Sequence, residues 1–88
     1  MNEPDTFIAT ITNNERSIEM DMELPSRMPI SELCHQLLMI LKEFHEDMFT
    51  GWEKCCIEFN SRILKNDDTL LKAGAFDGSR LTVLEGQP

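Results

Sequence analysis

The sequence predicts an α+β domain, a mixed sheet of four or five strands packed on one α-helix. Three patterns carry that expectation. Residues 6–12 and 17–24 alternate apolar and polar side chains at the period of a strand with one buried face. Residues 32–46 repeat their apolar side chains at the helical period. From residue 53 to residue 84 the alternation returns, interrupted by one short helical signal. A chain of 88 residues makes a single small domain, burying about 60 to 65% of the surface its unfolded form exposes. Its expected stability is roughly 4 to 13 kcal/mol.

The first strand is Thr6-Phe7-Ile8-Ala9-Thr10-Ile11-Thr12, dense in β-branched and aromatic residues, with residues 1–5 before it expected to be a flexible leader. Phe7, Ala9 and Ile11 face inward, which leaves Ile8 on the outer face between two threonines. Asn13-Asn14 tolerates the positive φ of a turn. In the second strand Ile18, Met20, Met22 and Leu24 alternate with Ser17, Glu19, Asp21 and Glu23, so one face is wet. Pro25 and Pro29 bracket a loop, and Ser31 is placed as the N-cap of a helix running from Glu32 to Glu46. Leu33, Leu37, Ile40, Leu41 and Phe44 form its buried stripe, while Glu32, His35, Lys42, Glu43 and Glu46 lie away from it. Met48 and Phe49 close the helix end over the core, and Gly51 turns the chain before Trp52.

The third strand is Glu53 to Phe59, with Cys55, Ile57 and Phe59 on one face and Lys54, Cys56 and Glu58 on the other. Cys55 is then expected in the core and Cys56 exposed. A short edge strand is expected near Arg62 to Leu64. After the turn Asn66-Asp67-Asp68, Thr69 caps one helical turn, Leu70 to Ala73, which Gly74 ends. Asp77-Gly78 turns again into the last strand, Arg80 to Leu84, with Leu81 and Val83 inward and residues 85–88 as a flexible tail. Strand, strand, helix and two or three strands in this order make a β-grasp.

Composition narrows the function. With 16 acidic against 8 basic side chains the net charge is -8, so phosphate backbones and anionic lipid are poor partners and a basic protein face is a good one. The longest apolar run, Leu37 to Leu41, is far too short to cross a bilayer, and Met1-Asn2-Glu3-Pro4-Asp5 lacks the regions of a signal peptide. A cytoplasmic location is expected. Three cysteines, Cys34, Cys55 and Cys56, fit no disulfide framework and read as reduced thiols.

The spacing of Ile57-Glu58-Phe59 to Leu64, Asp67-Asp68-Thr69-Leu70 and Asp77-Gly78-Ser79-Arg80-Leu81-Thr82-Val83 resembles that of ubiquitin-like proteins, and the likeness extends from Thr6 to Leu84. Leu24-Pro25 followed by Met28-Pro29-Ile30-Ser31-Glu32-Leu33, together with Thr69-Leu70-Leu71-Lys72-Ala73-Gly74-Ala75-Phe76-Asp77-Gly78, is most similar to the YukD/EsaB family. That resemblance implies a small cytoplasmic component of a bacterial type VII (WXG100, Esx) secretion system, acting as an adaptor or regulator by protein–protein binding. The ending Glu85-Gly86-Gln87-Pro88 lacks the Gly-Gly of conjugated members, so a non-conjugating protein is implied. Glu58 stands where ubiquitin has its central recognition isoleucine, which makes binding by ubiquitin receptors at that patch a poor expectation.

No enzyme, cofactor or metal is expected. Cys34, His35, His45, Cys55 and Cys56 are the soft ligands, without zinc-site spacing, and His35 and His45 are about 80° apart around a helix. Cys56 beside Lys54 has the setting of a modestly reactive thiol, opposed by Glu58. One small domain with its helix over the concave sheet face has no room for a water-excluding catalytic cleft. Exposed apolar surface remains. Leu38 and Met39 lie about 110° and 150° from the centre of the buried stripe and, with Cys34 and His45 beside them, form the expected partner-binding patch. Ile8, Thr82 and Leu84 form a weaker second patch on the outer sheet. The alternative is a self-associating interaction module unrelated to secretion, with Leu38 and Met39 at a homodimer interface. Neighbouring genes for a WXG100 substrate and an FtsK-like ATPase discriminate the two.

Overall fold

The computed structural model describes residues 5–86. The remaining leader and tail residues, 1–4 and 87–88, lie outside the described residues. The elements run β1 (Thr6–Asn13), β2 (Glu19–Pro25), α1 (Ile30–Phe44), α2 (Glu46–Phe49), β3 (Cys55–Phe59), β4 (Arg62–Ile63), α3 (Leu70–Ala73) and β5 (Arg80–Glu85). They build a five-stranded sheet in the order β2-β1-β5-β3-β4, with β1 parallel to β5 and the other pairs antiparallel. This is the expected mixed sheet and helix. Asp5 and Glu85, assigned to the leader and tail, are tied in: Ser26 N–H donates to the Asp5 carbonyl at 2.9 Å, and Glu85 pairs with Cys55.

Alternation fixes the sheet faces. Phe7, Ala9 and Ile11 of β1, Ile57 and Phe59 of β3, and Leu81 and Val83 of β5 are buried in one core with Leu33, Leu37 and Leu41 of α1. Burying a side chain of this size stabilises by about 1.5 to 3 kcal/mol, which is how a short chain closes a core under one helix.

The helix differs from expectation at its start, phase and end. Pro29 occupies the cap position and no side chain caps it; Ser31 lies inside the first turn. The free N–H groups are instead satisfied by a distant loop, with Ile30 N–H donating to the Asp68 carbonyl at 2.8 Å and Ser31 N–H to the Asn66 carbonyl at 3.1 Å. The buried stripe is Ile30, Leu33, Cys34, Leu37, Leu38 and Leu41, an unbroken i, i+3, i+4 repeat. Starting the helix at Glu32 leaves Ile30 out of that repeat, and counting Cys34 as neutral shifts the stripe toward Ile40 and Phe44. Ile40 is half-buried and Phe44 is 66% exposed. The helix stops at Phe44 because His45 takes φ -138, ψ 56, after which α2 forms its own turn and buries Phe49.

Cys56 is a second correction: expected exposed, it is 5% exposed. It lies on the face opposite Cys55 and pairs with Leu84, a longer side chain directly across the strand on that face. Asn60 and Ser61, at φ 52 and 64, form a two-residue turn that pairs Phe59 with Arg62 and makes β3 and β4 a hairpin. Thr69 caps α3 as expected, its hydroxyl oxygen accepting from Lys72 N–H at 3.1 Å, and Gly74 ends the turn at φ 90.

Candidate protein interface

The helix patch divides. Leu38 and Cys34, expected at the surface, are buried core residues, because both belong to the stripe that begins at Ile30. Met39 is 62% exposed and His45 half-buried at the break between α1 and α2. Cys34 and Leu38 instead line a cavity of about 160 Å³ between α1 and β3, with His35 and Cys55. The Cys55 thiol donates to the Cys34 carbonyl at 3.4 Å. The interaction with Cys55, together with burial, raises the Cys34 pKa well above the ordinary thiol range, and the same interaction lowers that of Cys55 against the effect of its burial. Cys56 is also raised, by burial first and then by the charges of Cys55 and Glu58. The reactive-thiol setting read for Cys56 is therefore absent: it is covered and holds its proton. Among the described residues no three His, Cys, Asp or Glu side chains converge on a point where a metal ion would sit.

The outer sheet patch divides as well. Thr82 pairs with Thr12 and Glu58, and Leu84 with Cys56; both are half-buried. Ile8, 55% exposed, lies four residues up β1 from Thr12, about 13 Å along the strand. Between them run polar rows. Thr10 Oγ1 donates to Asp21 at 2.7 Å, and Arg80 Nη2 donates to Glu19 Oε2 at 2.8 Å. Ile8 instead shares its end of the sheet with a turn built on its backbone. Ile8 N–H donates to Asp77 Oδ1 at 2.9 Å and Gly78 N–H to the Ile8 carbonyl at 2.8 Å. Phe76, the residue before that turn, is 60% exposed. Sequence reasoning passed over Phe76 because it precedes the turn and belongs to no alternating or helical run. Phe44 was missed for the opposite reason, having been counted in the stripe.

The sheet order, the single long helix and the Thr69-Leu70 turn are those of the ubiquitin fold. The family model of the WXG100 protein secretion system (Wss) protein YukD matches residues 8–83. The chain belongs to the YukD family. Among solved structures, this YukD-family chain is similar to the ubiquitin-like domain of the Mycobacterium tuberculosis type VII secretion system protein ECCD1, at 29% identity and TM-score 0.74, covering 91% of this chain and 98% of that one. The EccD5 ubiquitin-like domain from Mycobacterium xenopi shares the fold, at 16% identity and TM-score 0.76 over 97% of this chain and 99% of that one. So does a subunit in the MycP5-free ESX-5 inner membrane complex, at 16% identity and TM-score 0.77. The match covers 97% of the YukD-family chain but spans only 22% of that subunit. No curated protein matches the sequence. No helix among the described residues is long and apolar enough to cross a membrane.

Proposed function

We propose that this YukD-family protein is a non-enzymatic adaptor or regulator of a type VII secretion system, acting on the cytoplasmic side by binding a basic face of the apparatus. The family match over residues 8–83 carries the reading. It is supported by the 29% identity to a secretion-system ubiquitin-like domain and by exposed apolar side chains set in a chain of net charge -8. The contact residues we assign are Met39 and His45 on the helix side, with Thr82 and Leu84, and separately Ile8, on the sheet side. Affinity purification of the tagged chain from its own host tests this. Subunits of the secretion apparatus should co-purify, and deletion of the gene should change export of WXG100 substrates. Recovery of the chain alone, with export unchanged, would remove the reading.

A second reading rests on Met39, which is too exposed for a core role: the chain self-associates through that side of α1. Sedimentation of wild type against Met39→Lys decides it. A concentration-dependent dimer lost in the variant supports self-association, and a monomer at all concentrations excludes it.

A further inference from the structure

Where β1 leaves the sheet and β5 finishes, a cleft of about 530 Å³ opens between the loop after β1, α2, Trp52 and the end of β5. Its apolar wall comes from Met48, Trp52 and Leu84. Every ionisable side chain lining it is a carboxylate, Glu15 in the loop after β1 and Glu85 at the end of β5, both exposed. The walls are held in place. Trp52 stands edge-on to buried Phe49 at 4.8 Å and 81°, and its backbone N–H donates to the Phe49 carbonyl at 3.1 Å. Asn13 Oδ1 accepts from Ser17 N–H at 2.8 Å and fixes the loop that carries Glu15. Gly86 N–H donates to the Lys54 carbonyl at 3.1 Å, which holds the strand end beside Glu85.

We propose that this cleft receives an arginine side chain of a partner protein. An apolar wall with carboxylates at its rim suits a side chain with an aliphatic stem and a cationic head. Arginine suits it better than lysine, because a planar, weakly hydrated guanidinium stacks on an indole and meets carboxylates in a fork. A neutral apolar side chain would leave the carboxylates without a counter-charge, and an anionic one would be repelled by the cleft and by the net charge of -8. The proposal rests on the reading of the chain as a binding module and names the side chain that module selects.

Trp52 is the only tryptophan, so its indole N–H resonance reports the cleft without interference. The intact chain is titrated with acetyl-Gly-Arg-Gly-amide, and in parallel with the citrulline and norleucine peptides of the same length. The arginine peptide should shift Trp52, Glu85 and Gly86 saturably, and more salt should weaken it. The uncharged peptides should bind at least roughly threefold more weakly. The double variant Glu15→Gln, Glu85→Gln alters exposed side chains and should fold as wild type while losing at least about threefold in arginine-peptide affinity. No shift at Trp52, equal binding of the citrulline peptide, or an unaffected double variant would each overturn the proposal. The titration contains no secretion component, so the cleft can fail while co-purification succeeds, and the reverse.

Discussion

Leu38 and Met39 are consecutive residues in opposite environments, one 5% exposed against the sheet and the other 62% exposed to solvent. Helical geometry turns one by about 100° from the other, enough to cross from core to surface. Leu38→Ala should therefore destabilise by about 2 to 4 kcal/mol. Met39→Lys should stay within about 0.5 kcal/mol of wild type. Urea unfolding of the two variants checks the pair, and equal losses would contradict the placement of Met39.

The β3–β4 turn gives a prediction of opposite sign. Ser61 holds φ 64, where an L-residue is strained and glycine is not. Ser61→Gly should raise stability by roughly 0.5 kcal/mol after its own entropy cost, and Ser61→Val should lower it by about 1 kcal/mol or more. The ranking of thermal midpoints, Gly above Ser above Val, is the observation to make.

Thr69 caps α3 through its hydroxyl and not through its methyl group. Thr69→Ala should cost about 1 kcal/mol and Thr69→Ser a few tenths or less. Denaturant midpoints for the two variants separate loss of the hydrogen bond from loss of packing.

The thiols make stability fall at alkaline pH. Cys34 and Cys56 have pKa values raised in the folded chain, so that above the ordinary thiol value of about 8.5 the unfolded chain binds fewer protons than the folded one. Stability then declines with pH, by at most about 1.4 kcal/mol per unit for each thiol. Cys55, shifted down, works in the other sense: its contribution grows as pH approaches the ordinary value from below and is complete above it. The chain has no tyrosine, so a decline between about pH 8.5 and 10 belongs largely to thiols. Urea midpoints across that range should fall in wild type and fall less steeply in Cys56→Ala.

Much of this was legible in the sequence. Alternation at Phe7-Ala9-Ile11 and at Leu81-Val83 placed the central strands and their inward faces, because a strand's period of two leaves little ambiguity when one face is wet. Thr69 and Gly74 marked α3, since cap and stop residues act over a few positions. The start of α1 was not legible: its cap is made by carbonyls of Asn66 and Asp68, more than thirty residues away, and no local residue announces them. That missing turn also moved the helical phase and put Leu38 at the surface. Cys56 was misplaced because the burial of an outward side chain depends on its cross-strand neighbour, here Leu84, which periodicity alone does not supply. The cleft beside Trp52 depends on the ends of β1 and β5 meeting, a relationship of topology.

The central strand, β5, is the last of the domain to be made and lies beside the first, β1, with Thr10 next to Arg80 and Asn13 next to Val83. On the ribosome, β1 has one neighbour, β2, and an open flank until β5 has been synthesised. The domain therefore cannot close until β5 has been made, and a nascent chain stalled before it carries an unzipped strand edge that chaperones, or a second nascent chain, can occupy. Deleting β5 should release β1, β3 and the cover of α1 together, leaving no native domain.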